Sequence, residues 1–433
     1  MKKKFSINIL ISITVLLLIS SCKKDYSDPS RATEDQVFSS PKGLTGVVVG
    51  LQRVYTLGRA SSLYSGVTLN GLTTNELVVV NTGNQGELEI QTGGTIVTGN
   101  NSMLLTFWTS NNKTIYDANL VLTNAANLTD KNYASGLIAY ASIFKALSIG
   151  NMAMMWEKVP DGVGVNVGFI DRVDGFKKAI QVLDDAMAAV TANAISASFI
   201  ANVPTGIDIV NTLQALKARY SLFVGNYATA LAAANAVDLT KKSFFNFDAT
   251  NVNPIYEVAT STNNVVQPKD STLGLLVPLQ PDLTDKRVPF YTSINTLASP
   301  RYRINGFGAT ATTQFPVYLP GEMTLIKAEC YARQAAPDLN NALTELNKIV
   351  TKLRTADPFG VGAELPALLG PLTQAQILDQ IYKHRCIELY MSGLKLEDMR
   401  RFARPTSERK RNLMPYPTRE RDNNPNTPLD PAF

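Results

Sequence analysis

Between residues 41 and 55 the apolar positions Leu44, Val47, Val48, Leu51, Val54 and Tyr55 recur at steps of three and four, the signature of one helical face. Pro41 sits where a first turn tolerates it, and Gly58 follows as a stop. The same period returns over 104–128, over 133–156 behind the capping residue Asp130, and over 173–190. It predicts two further helices within 209–239, joined near Gly225-Asn226-Tyr227, and three more over 321–333, 339–354 and 373–391, the last closed by Gly393. Elsewhere the pattern breaks. Over 61–101 Gly, Asn and Thr dominate, and the alternation Glu87-Leu88-Glu89-Ile90-Gln91, then Gly93-Gly94, predicts a small hairpin in an irregular excursion. Residues 159–168 read as a breaker-rich loop whose glycines lack the spacing of a dinucleotide-binding turn. From 241 to 320 periodicity disappears and prolines accumulate, so this stretch is expected to be functional or to carry short strands.

Ala218 to Leu231, with Tyr220, Gly225, Tyr227 and Ala230, resembles half of a tetratricopeptide repeat, and a looser copy lies around Ala328-Glu329 and Ala342-Leu343. The expected fold is therefore mostly all-α, with tetratricopeptide-like helix pairs, long irregular loops and a few short strands.

The N-terminus changes the picture of location. Lys2, Lys3 and Lys4 precede an apolar segment from 7 to 19 interrupted only by Asn8, Ser12 and Thr14, which predicts a secretory signal too short to span a bilayer comfortably. Ile19-Ser20-Ser21-Cys22 resembles the lipobox of bacterial lipoproteins, which implies cleavage before Cys22 and lipid attachment there. The expected organisation is a signal peptide over 1–21, a lipidated tether over 22–40 and a single domain over 41–433. That domain comprises a helical-repeat part (41–240) and a loop-rich excursion with C-terminal helices (241–433). Loss of residues 1–21 removes three lysines and no acids, lowering the formal charge from +5 to +2, which gives no reason to expect nucleic acid. Cys330 and Cys386 lie in apolar helical patterns and read as buried thiols. His384 is the only histidine, so a histidine-based metal site or a catalytic triad would have to be built around it. No metal and no cofactor is expected.

The C-terminus carries the most specific text. Arg385-Cys386-Ile387-Glu388-Leu389, Ser392-Gly393-Leu394-Lys395, Asp398-Met399-Arg400-Arg401-Phe402, Tyr416-Pro417-Thr418-Arg419-Glu420 and Asn424-Pro425-Asn426 together resemble the SusD/RagB family of outer-membrane nutrient-binding lipoproteins. Ser392 stands where that family usually has glutamate, Lys395 where arginine is common, and Phe402 for tryptophan. Trp108, Tyr116 and Asn119, then Asp285-Lys286-Arg287 and Ala328-Glu329, match further landmarks in order. Physically, Arg385 and Glu388 stand three apart on one helical face and can pair, as can Asp398 and Arg401. The surrounding basic residues, Arg400 to Arg421, read as a solvated face or a docking surface.

The resemblance implies a lipid-anchored protein of a Bacteroidetes-type outer membrane, cell-surface exposed. It would capture an oligosaccharide or other nutrient and pass it to a SusC-like TonB-dependent transporter, with no bond-breaking of its own. Such binding needs an aromatic platform ringed by amides and hydroxyls. Trp108 and Trp156 sit in helical patterns and read as core. The candidates in the irregular stretches are Tyr64, Asn70 and Asn75, then Tyr291, Tyr302 and Phe307. Two other readings stand beside this one: a surface-associated glycoside hydrolase using paired carboxylates, and a helical-repeat adaptor that binds only the transporter. Asp184, Asp185, Glu397 and Asp398 are available acids, but neighbours in sequence on a helix point apart.

Overall fold

The computed structural model describes residues 37–432, so the signal segment, Cys22 and most of the tether lie outside the described residues. Helix α1 (Pro41–Thr56) begins where Ser40 accepts a hydrogen bond from the Gly43 amide. There follow α2 (Ser62–Thr73), β1 (Leu77–Val79), α3 (Gln85–Thr92), α4 (Ser102–Ala125) and α5 (Lys131–Met155). Asp130 caps α5 by accepting from the Tyr133 amide at 2.9 Å. The next segment holds β2 (Lys158–Pro160), β3 (Phe169–Asp171), α6 (Arg172–Ala192), the single turn α7 (Ala197–Ile200), α8 (Ile209–Phe223) and α9 (Tyr227–Asn235). The loop-rich stretch carries β4 (Phe244–Phe245), β5 (Val266–Pro268), α10 (Arg287–Tyr291), β6 (Thr292–Ile294), β7 (Tyr302–Ile304) and β8 (Phe315–Pro316). Helices α11 (Pro320–Arg333), α12 (Leu339–Val350), α13 (Gln374–Glu388), α14 (Lys395–Arg401) and α15 (Thr418–Asn423) complete the chain. Among the described residues the strands pair only as two-stranded antiparallel ladders: β1 with β5, β2 with β3, β4 with β8 and β6 with β7.

The scaffold is a succession of packed neighbours, α4 on α5, α5 on α6, α6 on α8, α8 on α9, α9 on α11, and α11 on both α12 and α13. This is the mostly helical, repeat-like fold the periodicity predicts. Helix α5 is apolar and long enough to cross a membrane, but 89% of its most apolar window is buried inside the fold, which makes it the core helix. Trp156 at its end is fully buried, donates from its indole to the Pro415 carbonyl at 2.9 Å, and meets Trp108 edge-on at 4.8 Å. Each large side chain so buried contributes about 1.5–3 kcal/mol. Cys330 and Cys386 are buried free thiols.

One close helix contact in this core depends on a glycine. A Cβ on Gly150 of α5 would lie 2.3 Å from the hydroxyl and 2.4 Å from the ring of Tyr220 on α8. Tyr220 cannot swing away, because it is buried against Phe176 and Phe223. Gly150→Ala is therefore expected to destabilise by about 1–2 kcal/mol in urea unfolding, since overpacking costs more than a helical alanine returns. An unchanged midpoint would show that the two helices separate freely.

Three sequence expectations are corrected. The Glu87–Gln91 alternation is helical, not a hairpin: α3 buries Glu87 and Ile90, three apart, and Gly93 (φ +76°) ends it against the backbone of Lys410. The excursion from 61 is not irregular either, since Ser61 caps α2, whose Ser, Thr and Asn side chains are almost all buried. The basic C-terminal run is only partly a solvated face: Lys410 and Arg419 are exposed, but three of its arginines turn inward. Arg400 donates to Glu397 and to the Met154 carbonyl, Arg401 to Glu329 and Asp398, and Arg411 is buried.

Candidate ligand-binding site

On the loop-rich face, α10 runs directly into the β6–β7 hairpin, whose register sets Ile294 opposite Tyr302. Directly opposed residues share a face of a ladder. Here that face opens into a cleft of about 540 Å³, lined also by Ser271, Asp282, Leu283 and Thr292. Leu283 and Ile294 are exposed, Tyr302 is half-buried, and the Arg301 guanidinium lies 5.4 Å from the Tyr302 ring centre. Asp282 accepts from Lys383 at 2.9 Å while staying half exposed. The cleft thus offers an aromatic face, apolar edges, two hydroxyls and a carboxylate, groups suited to a ligand with both C–H faces and hydroxyls.

The inner wall is a buried ion cluster. Asp285, a lining residue, takes three hydrogen bonds from Arg287: from its amide at 3.0 Å, its Nε at 3.0 Å and its Nη2 at 2.7 Å. Arg287 also donates to Glu388 at 3.2 Å and to His384 Nδ1 at 2.8 Å. Lys352 joins Glu388 to Asp357, and Tyr291 donates its hydroxyl to the Glu388 carbonyl. Burial, and then the charges of Arg287 and Lys383, hold His384 well below the ordinary histidine range, so it is neutral and accepts through Nδ1. Burial alone would lower the Arg287 pKa, but Asp285 and Glu388 outweigh it. Among the described residues no group of three His, Cys, Asp or Glu side chains is placed to hold a metal.

Of the six ligand candidates read from sequence, only Tyr302 lines this cleft. Tyr64 and Asn70 are fully buried on α2, where Asn70 donates to the Gly393 carbonyl at 2.8 Å. Asn75, at φ +63°, donates to the Glu408 carbonyl at 3.1 Å and holds a turn. Tyr291 is buried, and Phe307 packs edge-on against Phe290, Tyr291, Phe315 and Phe359. Tyr64, Asn70 and Tyr291 are buried, Asn75 and Phe307 are half-buried, and none of these five lines the cleft. The ion pairs are also rearranged. Arg385 does not pair with Glu388 along its helix; it turns to Asp398 at 2.9 Å, while Glu388, at the helix end, faces Arg287 and Lys352. Asp398 and Arg401 do pair, at 2.6 Å, and Arg401 adds Glu329. Burial alone would raise the Asp398 carboxyl, but Arg385 and Arg401 hold it below its ordinary range. The sequence reading missed Ser271, Asp282, Leu283, Thr292 and Ile294. Their one local signal is the run of prolines at 278, 281 and 289, which marks an exposed loop without saying what it faces.

No family model matches the sequence, and no curated protein matches it. Solved structures do match. A SusD superfamily protein from Parabacteroides distasonis superimposes with a TM-score of 0.70 at 15% identity, over 93% of this chain and 100% of its own. A SusD-like protein from Bacteroides fragilis gives 0.70 at 13% identity, over 93% and 99%. A SusD-like carbohydrate-binding protein from the same species gives 0.67 at 15% identity, over 85% and 87%. Identities this low relate architecture alone, and in that sense the chain carries the SusD-like fold.

Proposed function

We propose that this chain is a non-catalytic, lipid-anchored capture protein of the outer membrane. It binds an oligosaccharide in the loop-face cleft and passes it to a SusC-like TonB-dependent transporter. The observation that carries this reading is the cleft itself: a half-buried tyrosine, apolar edges and hydroxyls on a SusD-like scaffold, with a structural neighbour described as carbohydrate-binding. The order of C-terminal motifs supports it, as does the Ile19-Ser20-Ser21-Cys22 segment, which would supply the anchor. Capture without cleavage suits the local acids, because Asp282 and Asp285 are each engaged by a cation.

Calorimetric titration of the mature chain with a panel of neutral oligosaccharides tests the binding step. At least one is expected to bind, and Tyr302→Ala is expected to weaken it by up to about tenfold, the loss of one aromatic face. Absence of heat from every glycan, or a Tyr302→Ala variant that binds as tightly as the parent, would remove the cleft from the proposal. Cys22→Ala should release the protein from the membrane fraction, and the anchored form should co-purify with a large outer-membrane barrel.

A further inference from the structure

A second groove runs along the outward face of α4, on a part of the fold that shares no residue with the loop-face cleft. One half, of about 650 Å³, lies between α4 and α1 and is walled by Gly50, Val54, Leu57 and Leu105, with Arg53 and Arg419 on its rim. The other half, of about 450 Å³, is bounded by Tyr116, Asn112, Glu420 and the glycine-rich loop at Gly162 and Gly164. The halves meet at Thr109 and Lys113, which line both. From Leu105 to Tyr116 the floor is about three helical turns, roughly 16 Å.

The two ends differ in chemistry. Among the described residues neither Arg53 nor Arg419 has a carboxylate within ion-pair distance, although Asp248 lies near enough to Arg53 to feel its charge, whereas Lys113 between the halves is paired with Asp117. At the far end Tyr116 is 49% exposed, an unusual position for a ring on a core-packed helix. Beside it the Asn112 amide donates to the Trp108 carbonyl at 3.0 Å, which leaves its oxygen to accept. Glu420 accepts from the Trp108 indole at 3.1 Å and from Asn424 at 2.9 Å, so this end is negative and polar. An acyl chain lying along the groove would meet Lys113 halfway and Glu420 and the Asn112 amide at the far end. A sugar chain would set its C–H faces on Tyr116 and the apolar wall and its hydroxyls on Asn112, Thr109 and Glu420. An anionic group on that chain would find its counter-charges only at the Arg53 and Arg419 end.

We propose that this groove is a second saccharide site, selective for an acidic oligosaccharide whose carboxylate or sulfate sits between Arg53 and Arg419 and whose neutral ring lies on Tyr116. The test is titration of the mature chain with oligogalacturonate and, separately, with a sulfated oligosaccharide, against a neutral maltooligosaccharide of equal length. At least one acidic chain is expected to bind, more weakly as salt rises. The Arg53→Gln/Arg419→Gln double variant and Tyr116→Ala are each expected to cut that affinity by up to about tenfold, and Tyr302→Ala to leave it unchanged. Arg53, Arg419 and Tyr116 are exposed and Tyr302 is half-buried, and equal melting temperatures would confirm intact folds. Failure of both acidic chains to bind overturns the proposal, as does binding untouched by the double variant and by Tyr116→Ala. Loss of acidic-sugar binding in Tyr302→Ala would assign it to the loop-face cleft instead. A null result here leaves the neutral-glycan reading of that cleft standing, and the reverse holds too.

Discussion

Arg287→Met is expected to lower the stability of the protein by about 3–5 kcal/mol, the usual consequence of removing one partner from a buried ion cluster. Arg287 is wholly buried and joins Asp285, Glu388 and His384. Without it, Glu388 and Asp357 keep Lys352, but among the described residues Asp285 has no other cation in ion-pair contact. Methionine fills part of the volume but neutralises nothing. The deficit should narrow as pH falls, because the stranded carboxylates can then take up protons and shed the charge that the interior cannot solvate. Urea unfolding at pH 7 and at pH 5 reads both effects. A loss under about 1 kcal/mol at pH 7 would mean that water enters and replaces the guanidinium. Because Asp285 lines the loop-face cleft, the same variant should weaken any ligand bound there even where it remains folded.

How much of this could be read in the chain depends on the separation of the interacting groups. The helices of the scaffold were legible because their signal is local: the stripe over 133–156 and the Asp130 cap are present in consecutive residues, and α5 forms as they predict. Tyr220, Gly225 and Ala230 likewise announced the α8–α9 pair. Helix α2 was not legible, because Thr68, Asn70 and Thr73 are buried polar side chains and give it almost no apolar face. In α3 the acids in the alternation misled, since Glu87 is buried and neutralised by Arg59, a residue from before α2. The wall of the cleft was hidden for the same reason. Arg287 and Glu388 are 101 residues apart, so Arg385, three residues from Glu388, looked like its natural partner until the fold supplied Asp398. Tyr302 could be picked as a loop aromatic, but Asp282, Thr292 and Ile294 join it only through the turn of α10 and the β6–β7 register.

Glu76 gives the second large effect, and its sign follows from burial. Its side chain lies between α2 and β1, 2% exposed, with one carboxyl oxygen lacking any hydrogen-bond partner. Burial raises its pKa from 4.5 to about 7, Lys395 pulls it back, and Asp398 pushes it further up. Lys395 is engaged elsewhere, donating to the Leu273 carbonyl at 2.9 Å. The unfolded chain therefore releases this proton near pH 4.5 and the folded chain only near 7. In that window the folded state holds more protons, so Glu76 favours folding fully below pH 4.5 and loses that contribution as pH rises to about 7. The span corresponds to about 3 kcal/mol. His384 acts with the opposite sign, since its depressed pKa costs stability as pH falls below the ordinary histidine value, and the raw pH curve mixes the two. Subtracting the parent from Glu76→Gln isolates the carboxyl, because His384 is common to both. The variant should gain about 3 kcal/mol relative to the parent between pH 4.5 and pH 8, most of it by pH 7. A difference curve flat across that range would mean that Lys395 leaves its carbonyl and keeps Glu76 ionised throughout.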